Sequence, residues 1–225
     1  MAQRFPKKVL IVGDGLAGTL MAWECVKRGL IFEQWSNGSP AASDVAAGMF
    51  NPVSFRRILP QWDPANHMAR ARIAFQGIEK SLGITLWHEV PIIRVFPDAK
   101  YADLWEERAS GTHEVSPYIE TLSAGDLHPS IHAPHGAGLV RESGWVDVQL
   151  LTEKSREHWQ QKGQWKTQAW CMEDGCPSEF DAVMDCRGVG AVDDLAQFGL
   201  ELRPNHGEVI TVQTELEWGQ QTVNN

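Results

Sequence analysis

Lys8-Val9-Leu10-Ile11-Val12-Gly13-Asp14-Gly15-Leu16-Ala17-Gly18 is the stretch on which the fold turns. Its first five residues form a short apolar run rich in β-branched side chains, the pattern of a parallel strand buried on both faces. Glycines follow at the first, third and last places of the hexad Gly13–Gly18, and Thr19 to Arg28 reads as a helix that stops at Gly29. The first glycine permits the tight turn, the second lets backbone approach a pyrophosphate, and the third lets helix and strand pack closely. The helix start adds unpaired N–H groups and the positive end of its dipole. Gly13, Asp14, Gly15, Leu16, Ala17 and Gly18 are therefore the expected dinucleotide contacts.

Working outward, Leu30 to Trp35 reads as a second strand, and Glu33 stands at the usual distance for a carboxylate that takes ribose hydroxyls. If that strand runs to Trp35, the ribose position falls instead on Ser36 or Asn37, which hydrogen-bond but carry no charge. The glycine motif alone admits nicotinamide, flavin and S-adenosylmethionine enzymes. A short-chain dehydrogenase needs a Tyr with a Lys four residues on, and Tyr101 and Tyr118 are followed there by Trp105 and Leu122. The next segment, Ser43-Asp44-Val45-Ala46-Ala47-Gly48-Met49-Phe50-Asn51-Pro52-Val53, separates flavin from nicotinamide. Its small residues let backbone lie against a flat ring system; the plainer alternative is the start of a small-residue helix.

Composition narrows the class. The chain has 225 residues, 43% hydrophobic and 22% charged, with 20 basic against 29 acidic residues for a net charge of −9. That excludes a disordered tail, a collagen-like or coiled-coil rod and a disulfide miniprotein. The acidic balance argues against broad nucleic-acid binding. Cys25, Cys171, Cys176 and Cys186 suit a reduced, cytoplasmic chain. Arg4, Lys7 and Lys8 precede the apolar run as an export signal would, but Asp14 interrupts it too early, and no stretch reaches the roughly 18 apolar residues of a membrane span. Ten Trp against two Tyr read as large side chains filling a core.

Five segments come in the order seen in FAD-dependent oxidoreductases: GDGLAG, SDVAAGMFNPV with Arg56-Arg57 behind it, GWVDVQLL at 144–151, VMDCRGVGA at 183–191 and RPNHGEV at 203–209. Over essentially its whole length the chain resembles the group of D-amino-acid oxidase, glycine oxidase and sarcosine oxidase. The resemblance implies FAD as cofactor, with its pyrophosphate on the first glycine loop. It also implies that Ala47, Gly48 and Met49 pass near the isoalloxazine, and that Asp185-Cys186-Arg187-Gly188 closes over the cofactor, with Gly188 in contact. The implied reaction is oxidation of a small amine or amino acid by hydride transfer to flavin, a step that needs no strong acid or base; no catalytic residue is assigned. A substrate carboxylate would want an Arg clamp, for which Arg56, Arg57 and Arg94 are candidates by position. Family members usually carry a further C-terminal part, so the chain is expected to be an N-terminal portion or a natural short form. His206 stands where an Arg is common. The reading of a different class is a catalytically incompetent module that binds a nucleotide or a partner.

The remaining pattern completes an α/β expectation. His67–Leu82 has helical spacing (Met68, Ala71, Phe75, Ile78, Leu82, widened by Ile73 and Ala74). Glu89–Phe96 reads as a strand, and Asp98 caps a helix to Ser110. Gly138–Arg141 starts a strand, and Asp147 caps a helix through Lys162. Segments 164–172 and 179–185 read as a strand pair around Glu173-Asp174-Gly175, and 207–215 as a last strand. The expected architecture is a Rossmann-like FAD-binding βαβ domain (1–60 and 145–195) interleaved with a mixed-sheet substrate-side domain (61–144 and 196–225). His128, His132 and His135 lie in a Pro- and Gly-rich loop, and Cys171 and Cys176 are too far apart for a zinc knuckle, so no metal site is expected.

Overall fold

The computed structural model describes residues 7–205, 207–210, 213, 215 and 222–224. They fall into two compact units, Met1–Ala47 with Asp147–Ile210, and Gly48–Val146 with Thr211–Asn225. The first unit opens with β1 (Lys8–Val12), α1 (Leu16–Lys27) and β2 (Ile31–Ser36). The second contains β3 (Met49–Phe50), β4 (Val53–Ser54), β5 (Leu59–Pro60), α2 (Pro64–Leu82), β6 (Trp87–Glu89), β7 (Ile92–Val95), α3 (Ala99–Ala109), β8 (Ile119–Leu122), β9 (Ala137–Val140) and β10 (Gly144–Val146). The chain returns to the first unit with α4 (Val148–Gln161), β11 (Trp165–Thr167), β12 (Ala182–Asp185) and the short α5 (Val192–Ala196), and β13 (Thr222–Asn224) joins the second.

In the first unit the strands form a parallel sheet in the order β11-β2-β1-β12. β1 is central, and Val9, Leu10 and Ile11 have no exposed surface, which is why its sequence is continuously apolar. On one face Val9 and Ile11 pack with Ala22, Cys25, Phe32 and Trp159; on the other, Leu10 and Val12 pack with Trp35 and Phe180. Trp159 sits 4.7 Å from Trp23 and 5.1 Å, edge-on, from Phe32. Such pairs add about 0.5–1.5 kcal/mol each beyond area burial. The Trp23 indole N–H donates to Ser155 Oγ at 2.9 Å, tying α1 to α4.

The second unit holds an antiparallel sheet β3-β10-β6, a mixed sheet β13-β7-β9-β8 and the pair β4-β5. Its core gathers Ile92, Trp105, Val115, Ile119 and Val140. Gly138 on β9 leaves the space that the Trp105 ring fills, since a Cβ there would overlap it. Asp98 caps α3 through the Tyr101 N–H at 2.8 Å, and in the first unit Asp147 caps α4 through the Leu150 N–H at 2.9 Å.

Several expectations shift. The unit boundary falls at Ala47–Gly48 rather than near residue 60, because β3 pairs with β10. α1 starts at Leu16, so the second half of the glycine hexad is helical, and α2 starts at Pro64, proline being well suited to a first turn. Ile73, counted in the apolar stripe, is 64% exposed; Phe75 and Ile78 carry the burial. The strand expected over Glu89–Phe96 is split at Pro91, which has no N–H for a ladder, and β6 and β7 lie in different sheets. The expected pairing of 164–172 with 179–185 does not form: β11 adds to β2 and β12 to β1, on opposite edges of one sheet. Residues 207–210 are not a strand, and His206 and most of the rest of that expected strand lie outside the described residues. Among the described residues no helix is long and apolar enough to cross a membrane.

Candidate cofactor site

A cleft of about 600 Å³ opens in the first unit where β1, β2 and β12 end, the place where open α/β sheets take ligands. Its floor is the glycine loop. The Gly13 N–H donates to the Trp35 carbonyl at 2.8 Å, and the Cys186 N–H to the Val12 carbonyl at 2.7 Å, so three strand ends are stitched together. Gln34, 1% exposed, donates from Nε2 to the Gly13 carbonyl at 2.9 Å. Gly13 has φ +102°, and a Cβ there would stand 2.5 Å from the Cys186 carbonyl oxygen. At Gly18 a Cβ would run into the Gly13 carbonyl oxygen. At Gly15, the N-cap of α1, it would lie 3.1 Å from Ser43 Oγ, which accepts the Leu16 N–H at 2.8 Å. Gly13 and Gly18 therefore have the spatial reasons expected of the first and third glycines, a tight turn and close helix–strand packing, while Gly15 meets Ser43 and Ala41 at the cleft.

Asp14, between the first two glycines, is held at both carboxylate oxygens. Ser36 donates its hydroxyl to Oδ1 at 2.7 Å, and Arg156, on α4, donates Nε–H to Oδ2 at 2.8 Å. Opposite the glycine loop, Cys186–Gly190 and Gln168–Trp170 form the other wall. Arg187 fixes that wall. It pairs with both oxygens of Asp185, reaches Asp194 at 2.6 Å, and lies 5.0 Å from the Trp170 ring centroid. The hydrogen bonds that Arg187 donates to Asp185 and Asp194 raise its pKa further still. Burial works to raise Asp185, but the Arg187 guanidinium outweighs it and holds the carboxyl below its usual range. Burial pushes the Cys186 thiol up.

The cleft thus brings Gly13, Asp14, Gly15, Leu16, Ala17 and Gly188 together, with Gly18 packed behind. Glu33, Ala47, Gly48 and Met49 are not among its lining residues. Glu33 is inside β2, in register with Leu10, bonded to Trp35 Nε1 at 2.7 Å and Lys166 Nζ at 2.9 Å. Burial opposes its ionisation, and those two donors hold its pKa below the ordinary value. β2 runs on to Ser36, which lines the cleft with Asn37. Gly48, at φ +66°, accepts the Val146 N–H through its carbonyl, and Met49 lies beside Trp145 in the β3–β10 pair. Arg56 and Arg57 are exposed in the turn between β4 and β5. Arg94 lies between the Phe55 and Tyr101 rings and donates to Asn224 at 2.5 Å. Sequence reading did not single out Gln34, Ser36 as a partner of Asp14, Arg156 or Trp170; only Gln34, polar within an apolar strand, carried a local signal.

Comparison with known proteins gives the same frame. The structure resembles iminodiacetate oxidase from a Chelativorans species (19% identity, TM-score 0.65, 86% of this chain and 58% of that one). It also resembles glycine oxidase from Geobacillus kaustophilus (20%, 0.63, 88% and 59%) and L-amino acid deaminase from Proteus vulgaris (16%, 0.58, 89% and 52%). At these identities the likeness is one of fold, and the chain spans between half and three-fifths of those proteins' length. A family model described as FAD dependent oxidoreductase matches residues 8–224. The chain belongs to the FAD dependent oxidoreductase family, whose cofactor is FAD.

Proposed function

We propose that the first unit is the FAD cradle of an oxidoreductase that oxidises a small amine or amino acid. The observation that carries this is the glycine loop, closed at Gly13 and Gly18 by backbone contacts and lining an apolar-walled cleft at Gly15, beside Ala41 and Ser43. Bound FAD supplies a hydride acceptor for the substrate C–H beside the amine. The protein's part is position and electrostatics. The start of α1 meets the pyrophosphate with backbone N–H groups and a positive dipole end. Ser36 and Asn37, at the end of β2, face the ribose. Gly188, at φ +58° with nothing within 4 Å of its absent Cβ, lets the wall after β12 close on the cofactor. Ala47, Gly48 and Met49 fall to the isoalloxazine by family likeness, and the exposed Arg56 and Arg57 suit a substrate carboxylate better than the ring-stacked Arg94 does.

Purified chain mixed with FAD is expected to retain the flavin's visible absorption through gel filtration. Gly15→Val should abolish uptake, because φ −68° at Gly15 is ordinary for any residue but the added Cβ, 3.1 Å from Ser43 Oγ, crowds the lining of the cleft; an unchanged circular-dichroism spectrum separates this from failure to fold. Failure of the unmodified chain to retain FAD, or retention by Gly15→Val, would refute the assignment.

A further inference from the structure

The usual dinucleotide site reads the ribose with a carboxylate at the end of the second strand. Here that end is Ser36, uncharged, while among the described residues the one acidic residue lining the cleft is Asp14 of the glycine loop. The two are in contact, Ser36 Oγ to Asp14 Oδ1 at 2.7 Å. The carboxylate therefore reaches from the loop to the strand end where one is wanted. Its side chain is 12% exposed, and Arg156 neutralises it from the side of α4 at 2.8 Å. A carboxylate has about four lone-pair sites. Ser36 and Arg156 take two, and about two remain for a ligand in the cleft.

The geometry points to Asp14 as the ribose-reading group. Its carboxylate accepts a hydroxyl of the cofactor's adenosine, Ser36 holds it at the end of β2, and Arg156 keeps a negative charge tolerable beside a pyrophosphate. A plain ion pair joining the glycine loop to α4 would need no carboxylate inside the cleft. Nor would it need Ser36, whose hydroxyl also accepts the Gly38 N–H at 3.2 Å and so is oriented toward Asp14. This inference rests on the FAD reading above and adds a specificity device to it.

The test measures binding rather than turnover, by calorimetry with the purified chain and four probes: FAD, ADP, 2′-deoxy-ADP and 3′-deoxy-ADP. Loss of a hydrogen bond to a charged group weakens binding by about 10- to 150-fold. The unmodified chain should therefore bind ADP at least about tenfold more tightly than one of the deoxy compounds. Asp14→Asn should bind ADP weakly and no longer distinguish it from that compound. Because this variant also strips Arg156 of its partner, a second one, Asp14→Gly with Ser36→Glu, returns the carboxylate to the strand end and should restore both affinity and discrimination. Discrimination that survives in Asp14→Asn, absence of discrimination in the unmodified chain, or no rescue in the double variant would each overturn the role of Asp14 while leaving FAD binding intact. No binding of FAD or ADP to the unmodified chain would overturn the cofactor reading itself.

Discussion

Replacing Gly13 by alanine tests the closure of the glycine loop most directly. The added methyl would stand 2.5 Å from the Cys186 carbonyl oxygen, 2.7 Å from its carbon and 3.0 Å from Arg187 N. Carbon atoms sit comfortably at about 3.5–4.0 Å, so the overlap is close to 1 Å, and it is against backbone that has no rotamer to change. Two costs add. An L-residue at φ +102° costs about 1–2 kcal/mol, and forcing β12 away from the loop costs about 1–3 kcal/mol by analogy with overpacked cores. The total, about 2–5 kcal/mol, is a large part of the ~5–15 kcal/mol that holds a domain folded. Gly29→Ala separates the two costs. Gly29 also has a positive φ, +66°, but nothing lies within 4 Å of its absent Cβ, so only the conformational cost of about 1–2 kcal/mol applies. Native-state hydrogen exchange at the Val9–Val12 amides reports the opening free energy of the first unit in both variants. If the two lower it equally, the close approach of Cys186 to Gly13 is not a feature of the folded protein.

Two further outcomes follow from charge and burial. Asp185 and Asp194 are both held below the ordinary carboxylate range by Arg187, so the folded chain binds their protons less readily than the unfolded chain does. Their contribution is complete above the unfolded value of about 3.9 and fades as pH falls through the lower folded values. Arg187→Met should therefore lower Tm at neutral pH, with the gap to the unmodified protein closing below about pH 4; a gap that stays constant from neutral to acid pH would refute the pairing. Cys25, 1% exposed, has its thiol pushed up by burial, with the Glu24 charge acting in the same sense, whereas Cys176 is exposed. A thiol reagent at neutral pH should modify Cys176 and leave Cys25 untouched until denaturant is added; equal rates would contradict the packing of α1 on the sheet.

The parts of this molecule that sequence makes legible are those whose cause is local. The run Val9–Val12, the spacing of Gly13, Gly15 and Gly18, and the caps Asp98 and Asp147 each act within a few residues, and each is found where expected. What escapes reading is what depends on distant partners. Nothing near Ser43 indicates that its hydroxyl takes the Leu16 N–H, and nothing near Arg156 indicates that it meets Asp14 across 142 residues. Glu33 shows the limit of spacing rules: its distance from Gly13 is right, but β2 extends past Trp35 and leaves Glu33 bonded to Lys166 inside the sheet. The misplaced pairing of β11 and β12 has the same origin, since two short apolar segments flanking a turn look alike whether they meet each other or the open edges of β2 and β1.

The long separation between strands that end up adjacent also bears on how the chain is made. Lys8 donates its N–H to Asp181 across 173 residues, and β12 is the last strand of the parallel sheet to leave the ribosome. At a synthesis rate of about 5–20 residues per second, roughly 10–35 s pass between the emergence of β1 and that of the partner for its second edge. Through that interval Val9-Leu10-Ile11-Val12 is an apolar strand with one side unclaimed, available to any other extended segment. Gly48–Val146, the larger part of the second compact unit, emerges in the meantime, whereas β13, which completes that unit on β7, follows only after β12. Translation speed through 147–185 and the supply of chaperones that shield exposed strands then become determinants of yield, independent of the stability of the finished protein.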